Sequence, residues 1–137
     1  MGTNSNQANA LVGAYLVNGT VGNVGMPGAP IMHFSLVVVP ATNSVSGTVE
    51  ITQAIAPPNG NIVIKNVSGV IRATGYGSVT KVVALNGTYG QTLTPPAIGT
   101  ITENFSAHLA IDDNWNGKGG FSYGNKDIEN VPVAKTK

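Results

Sequence analysis

From Asn104 to Leu109 apolar and polar side chains alternate, and Ile111 keeps the apolar phase. Phe105, Ala107, Leu109 and Ile111 fall on one side, and Asn104, Ser106 and His108 on the other. Met32, Phe34, Leu36 and Val38 oppose His33 and Ser35 in the same way. Val45, Val49 and Ile51 oppose Ser46, Thr48, Glu50 and Thr52. A period of two means extended chain, because successive side chains of a strand point to opposite faces. One apolar and one polar face per strand is the pattern of an antiparallel sheet with a single buried side. No segment has convincing helical spacing. A short helical turn is the most that residues before Leu11 or after Asp127 would form.

Turn residues divide the chain into about seven strands. Asn-Gly, the strongest short hairpin signal, occurs at Asn18-Gly19, Asn59-Gly60, Asn86-Gly87 and Asn116-Gly117. These pairs predict a first strand over Leu11–Val17, ending at Asn18-Gly19. The second runs over Ile31–Val39, up to Pro40 and a polar Thr42-Asn43-Ser44 turn. The third covers Val45–Ile55. Ile62–Val67 and Gly69–Thr74 read as two strands, or as one with a bulge near Ser68-Gly69. Val79–Leu85 closes at Asn86-Gly87. Ile98–Ile111 and Gly120–Tyr123 complete the set, and a polar tail follows. The expected fold is all-β: an antiparallel sandwich or barrel in one domain over residues 1–137, with polar termini at about 1–10 and 125–137. The alternative is one strongly twisted antiparallel sheet that completes its core by oligomerising.

Charge is sparse and uneven. Asp, Glu, Lys and Arg make up 9% of the chain, against about 25% in an ordinary soluble domain. The first 49 residues have none, Glu50 is the first, and the net charge is +1. A nucleic-acid binder needs a clustered basic surface, which is missing. There is no cysteine, so disulfides, thiolate metal sites and cysteine nucleophiles are excluded. No Lys or Arg precedes the first apolar run, as a signal peptide would require. No apolar run approaches the ~20 residues that span a bilayer as a helix. The default expectation is a cytoplasmic protein without a membrane span, with leaderless export left open.

Few constellations carry chemistry. His33 and His108, the only histidines, lie on polar strand faces, and no Gly-x-Ser-x-Gly elbow accompanies them. The carboxylates show no paired spacing. Gly19–Gly28 lacks the Gly-Lys-Ser/Thr end of a phosphate loop. No catalytic residue, metal site or cofactor is therefore assigned. The segment Asp112-Asp113-Asn114-Trp115-Asn116-Gly117 stands apart. Asp112, Asn114, Asn116 and Gly117 match the opening of a calcium loop, but Tyr123 stands where the bidentate Glu belongs. The plainer reading is an Asx-rich turn whose side chains satisfy their own backbone. Trp115, the only tryptophan, sits there beside amides and near Phe121 and Tyr123. Candidate ligand-binding residues are Asp112, Asn114, Trp115, Asn116 and Tyr123, for a carbohydrate or calcium; the plainer role for Trp115 is a lid on the core edge.

One stretch is similar to a known signature. Gly28-Ala29-Pro30 followed by Met32-His33-Phe34-Ser35-Leu36-Val37-Val38 resembles a Gly-Ala-Pro, Leu-His-Leu-Ser-Leu-Leu-Val pattern. It departs at Met32 and Phe34, where leucines are expected. Gly47, Ile51-Thr52-Gln53-Ala54 and Pro57-Pro58 resemble the Ile-Thr-Gln-Ala-x-x-Pro-Pro part of the same pattern, and Ala73-Thr74-Gly75-Tyr76 a third piece. The resemblance spans roughly Leu11 to Val133. It is to a family of small bacterial proteins classed as a domain of unknown function. It implies no activity, cofactor or catalytic residue.

Three functional readings follow. The first is a non-enzymatic interaction or structural module acting as a homo-oligomer, because solubility normally needs interspersed charge and strand edges are normally blunted by Lys or Pro. Burial of the charge-free strands against a second subunit resolves both points. The second is a carbohydrate- or calcium-binding β module built on the 112–123 loop. The third is an enzyme of unknown class acting through His33, His108 or Glu50. The first is the expectation; the partner is a second copy of the chain, another protein or a carbohydrate, with no nucleic acid.

Overall fold

A computed structural model of the chain describes residues 13–53, 61–77, 79–93 and 96–136. It contains eight strands: β1 (Tyr15–Val21), β2 (Ile31–Val39), β3 (Ser44–Thr52), β4 (Asn61–Tyr76), β5 (Val79–Thr92), β6 (Thr100–Ile111), β7 (Gly117–Tyr123) and β8 (Lys126–Lys135). Each strand pairs antiparallel with the next, and β8 returns to β1, so the sheet closes as a barrel. Of the expected architectures, the barrel is the one formed. The open twisted sheet is not: the core is complete within one chain.

The alternating faces explain the closure. Eight strands enclose a space just wide enough for side chains to fill. Met32, Phe34, Leu36 and Val38 of β2 point into it, as do Phe105, Leu109 and Ile111 of β6 and Phe121 of β7. Among the described residues the buried set is entirely apolar. The outer wall carries Asn18, Ser35, Thr48, Lys65, Arg72, Ser106 and other exposed polar groups. That polarity is the reverse of a membrane barrel, whose wall is apolar and lumen polar. No helix among the described residues is long and apolar enough to cross a membrane.

Three bulges bend the wall. On β4, Lys65 and Asn66 both face outward opposite Thr48, so Ile64 and Val67 point inward although three residues apart. Thr74 and Gly75 oppose Thr80. On β8, Glu129 and Asn130 oppose Gly120, and Asn130 has φ 56°. An extra residue in one strand sharpens its bend and coil, which a small barrel needs. The bulge expected at Ser68-Gly69 therefore lies earlier, at Lys65-Asn66, within one continuous strand.

Two further expectations are corrected. Residues 126–135 are a strand and not a polar tail, nor a helical turn: Ile128, Val131 and Val133 face inward, and their charged neighbours face out. Asn18-Gly19 and Asn86-Gly87 are not turns. They lie inside β1 and β5, and neither Gly19 nor Gly87 has positive φ. Both glycines fall on the inward phase, where there is no room for a side chain. A Cβ on Gly19 would stand 2.4 Å from Cζ of Phe34, and one on Gly87 2.8 Å from Cγ2 of Ile64. Asn59-Gly60, Leu11–Val12 and the end of the expected third strand at Ile55 lie outside the described residues. The Pro40 stop is as expected: Pro40–Thr42 forms a 3-10 turn, and Asn43 follows in the left-handed region.

Candidate functional site

The loop from Asp112 to Asn116 joins β6 to β7 at one end of the barrel. One carboxylate oxygen of Asp112 accepts hydrogen bonds from the backbone N–H of Asn114 (2.8 Å) and of Asn116 (3.0 Å). The Asp112 N–H donates to the Asn116 carbonyl, and the Trp115 N–H to the Asp112 carbonyl. The side-chain oxygen of Asn116 accepts from the backbone N–H of Lys135 at 3.3 Å. This is the self-satisfied Asx turn, and it leaves Asp112 engaged with its own loop.

The turn forces Trp115 into φ 62°, which is uncommon for a bulky residue. The result is a ring turned into the barrel mouth and only 2% exposed. Its Nε1–H donates to the Tyr15 hydroxyl at 3.1 Å. Tyr15 meets it edge-on, with centroids 6.5 Å apart at 82°. Phe34 lies tilted beneath it at 5.7 Å. Gly19 makes the space Phe34 needs, Phe34 supports Trp115, and Trp115 closes the end. Trp115 is the lid on the core edge, and no broad face of it is open to stack on a sugar.

The other candidates separate. Asn114 is exposed at the tip of the loop. Tyr123 is at the far end of β7, roughly 20 Å away at about 3.4 Å per residue. There it stacks on Phe121, with centroids 5.9 Å apart. Burial raises its phenol pKa. Tyr89 lines the same small cavity of about 160 Å³, and its pKa is raised by burial, then by Glu103 and by Tyr123. The structure thus brings Asp112, Asn114, Trp115 and Asn116 together and places Tyr123 elsewhere. Tyr123 joins them in the sequence as the twelfth position of the calcium pattern, but β7 carries it away from the loop.

The histidines also separate. His33 on β2 bonds through Nε2 to the Thr52 hydroxyl at 3.0 Å. His108 on β6 lies 3.3 Å from Glu129. Both are exposed on the outer wall. β2 and β6 are four strands apart in an eight-stranded ring, at roughly 4.8 Å per strand, so they face opposite ways. His33 and His108 do not form one catalytic constellation.

A cavity of about 400 Å³ opens beside Trp115. Tyr15, Val38, Ile71 and Trp115 form its floor, and Lys81, Asp113 and Lys135 stand on its rim. Lys81 bonds Asp113 at 3.0 Å, and Thr80 donates to the same oxygen at 2.8 Å. These contacts, the Lys81 hydrogen bond foremost, hold the Asp113 carboxyl below the ordinary aspartate pKa. Sequence reasoning passed over Lys81 and Lys135. The signal was their phase: each lies two residues from an inward-facing Val83 or Val133.

A family model described as a domain of unknown function, DUF1842, matches residues 12–127. No curated protein matches the chain.

Proposed function

The chain belongs to the DUF1842 family, and from that premise we propose that it is a non-enzymatic interaction module acting as a homo-oligomer through the charge-free part of its outer wall. One observation carries this reading. Leu16 and Val37 are a cross-strand pair on adjacent strands, and they are 76% and 39% exposed. Asn18, Ser35 and Ser46 beside them are small and neutral, and Pro132 and Ala134 of β8 continue the same wall. Charged side chains stand elsewhere on the wall, at Glu50, Lys65 and Arg72 of β3 and β4 and at Lys118, Lys126, Asp127 and Glu129 of β7 and β8. Interface cores are depleted in charge, and contiguous exposed apolar patches mark contact sites. Closure of the barrel has already removed the strand edges. The support is therefore the wall's composition and not its edges.

The test is solution mass by size-exclusion chromatography with light scattering. The expected result is a multiple of the 14.0 kDa chain mass for the natural protein, and a single chain for a Leu16→Lys, Val37→Lys double variant. A natural protein that stays at 14.0 kDa at every concentration sinks the proposal.

A further inference from the structure

We propose that the cavity beside Trp115 is a binding site for a small amphipathic monoanion, a carboxylate carried on a short hydrocarbon or aromatic body. This goes beyond the outer-wall contact, with which the cavity shares Leu16.

The inward phase of the strands supplies the first argument. Val17, Val38, Ile71, Val83 and Val133 form a filled layer near this end of the barrel. The next inward positions on β4, β5 and β8 are Ala73, Lys81 and Lys135. Ala73 is too small to fill the mouth, and two lysines stand where apolar side chains would otherwise close it. The cavity this leaves, about 400 Å³, lies within the roughly 300–1,000 Å³ of small-molecule sites. Tyr15, Leu16 and Ala73 give it apolar walls beside the polar Asn43, Lys81 and Lys135, which suits a hydrocarbon body with a polar head.

The rim supplies the second argument. Asp113 neutralises Lys81 through their 3.0 Å contact. Among the described residues the rim thus holds one ammonium, that of Lys135, with no carboxylate in contact with it. A single negative head with an apolar body complements that ammonium and the apolar walls. A neutral sugar has no charge to meet Lys135, and the Trp115 indole N–H is already engaged by Tyr15.

Trp115 is the only tryptophan and borders the cavity, so it reports binding directly. The experiment is a titration of the full chain with anilinonaphthalene sulfonate, followed by energy transfer from Trp115, and then displacement by decanoate. Saturable transfer that decanoate reverses is expected. Lys135→Glu should weaken decanoate about ten-fold or more, as expected for reversing one nearby charge, and leave decanol unchanged. Ala73→Phe, which fills the mouth, should remove binding of both. Lys135 is exposed, so its variant keeps the test valid if Ala73→Phe does not fold. No displacement by decanoate overturns the proposal. Equal affinity of decanoate for the natural chain and Lys135→Glu does the same, as does decanol or a neutral glycoside binding as tightly as decanoate.

Discussion

Replacing Gly19 with alanine tests whether that glycine serves a turn or a packing need. In the structure the new Cβ would lie 2.4 Å from Cζ of Phe34 and 2.5 Å from the carbonyl oxygen of Ala134. The ring already packs against Trp115, with centroids 5.7 Å apart, so a shift toward it is resisted. The carbonyl is backbone, in the seam where Gly19–Val21 of β1 pair with β8. Overpacking a filled core costs about 1–3 kcal/mol. A strained ladder hydrogen bond adds about 1 kcal/mol. The lower backbone entropy of alanine offsets about 0.5–1 kcal/mol. The net expectation is a loss of about 2 kcal/mol, a substantial share of the roughly 5–15 kcal/mol that holds a domain folded. Urea unfolding followed by Trp115 fluorescence measures it, and a slope of roughly 1–3 kcal/mol/M puts the midpoint lower by about 1 M. Phe34→Leu makes the test specific. If ring contact is the cause, the double variant recovers about 1 kcal/mol relative to the sum of the singles. A turn glycine gives no such coupling, because its cost would come from its own φ. Additive variants, or an unshifted Gly19→Ala, refute the packing argument.

Tyr15→Phe leaves the Trp115 N–H without its acceptor and should cost about 1–2 kcal/mol in the same urea assay; an unchanged midpoint would mean that water replaces the hydroxyl freely. Tyr89 and Tyr123 have raised pKa values, so their neutral forms are favoured by folding. Their contribution to stability is whole below the ordinary phenol range and is lost as pH rises through the raised values. Tyr123→Phe should therefore unfold at higher pH than the natural chain, as followed by circular dichroism. Phenolate absorbance in which every tyrosine titrates at the free value while the fold persists would contradict this.

Much of the barrel was legible, and the failures share a cause. β2 matched its expected bounds, Ile31–Val39, because its inward phase from Met32 to Val38 is unbroken and Pro40 stops it. β8 was hidden because its bulge puts Ile128 and Val131 three apart, which breaks the period of two, and because Pro132 and four charges crowd a short segment. Asn18-Gly19 and Asn86-Gly87 carried a turn signal, yet Val17-x-Gly19-x-Val21 and Leu85-x-Gly87-x-Tyr89 continue the inward phase through them. At the candidate site the Asx turn was readable from Asp112, Asn114 and Asn116. The company Trp115 keeps was not, since Tyr15 is 100 residues away in sequence. Only three-dimensional closure brings the two together.

The seam that brings them together also governs how the barrel is made and lost. Every other pairing joins neighbours through a hairpin or a short connection, so seven ladders can form progressively, each at a small closure entropy. Only the β1–β8 pairing is nonlocal: three register pairs, flanked by hydrogen bonds from the Gly22 N–H to the Pro132 carbonyl and from the Thr136 N–H to the Asn18 carbonyl, and latched from inside by the Trp115–Tyr15 hydrogen bond. Closure is then the late, topologically demanding event of folding, and its reversal the cheapest partial opening. An opened seam bares one edge of β1 and one of β8, each a template for another chain. Amide exchange at Thr20 and Ala134 would set the pace at which strand exchange between molecules can begin.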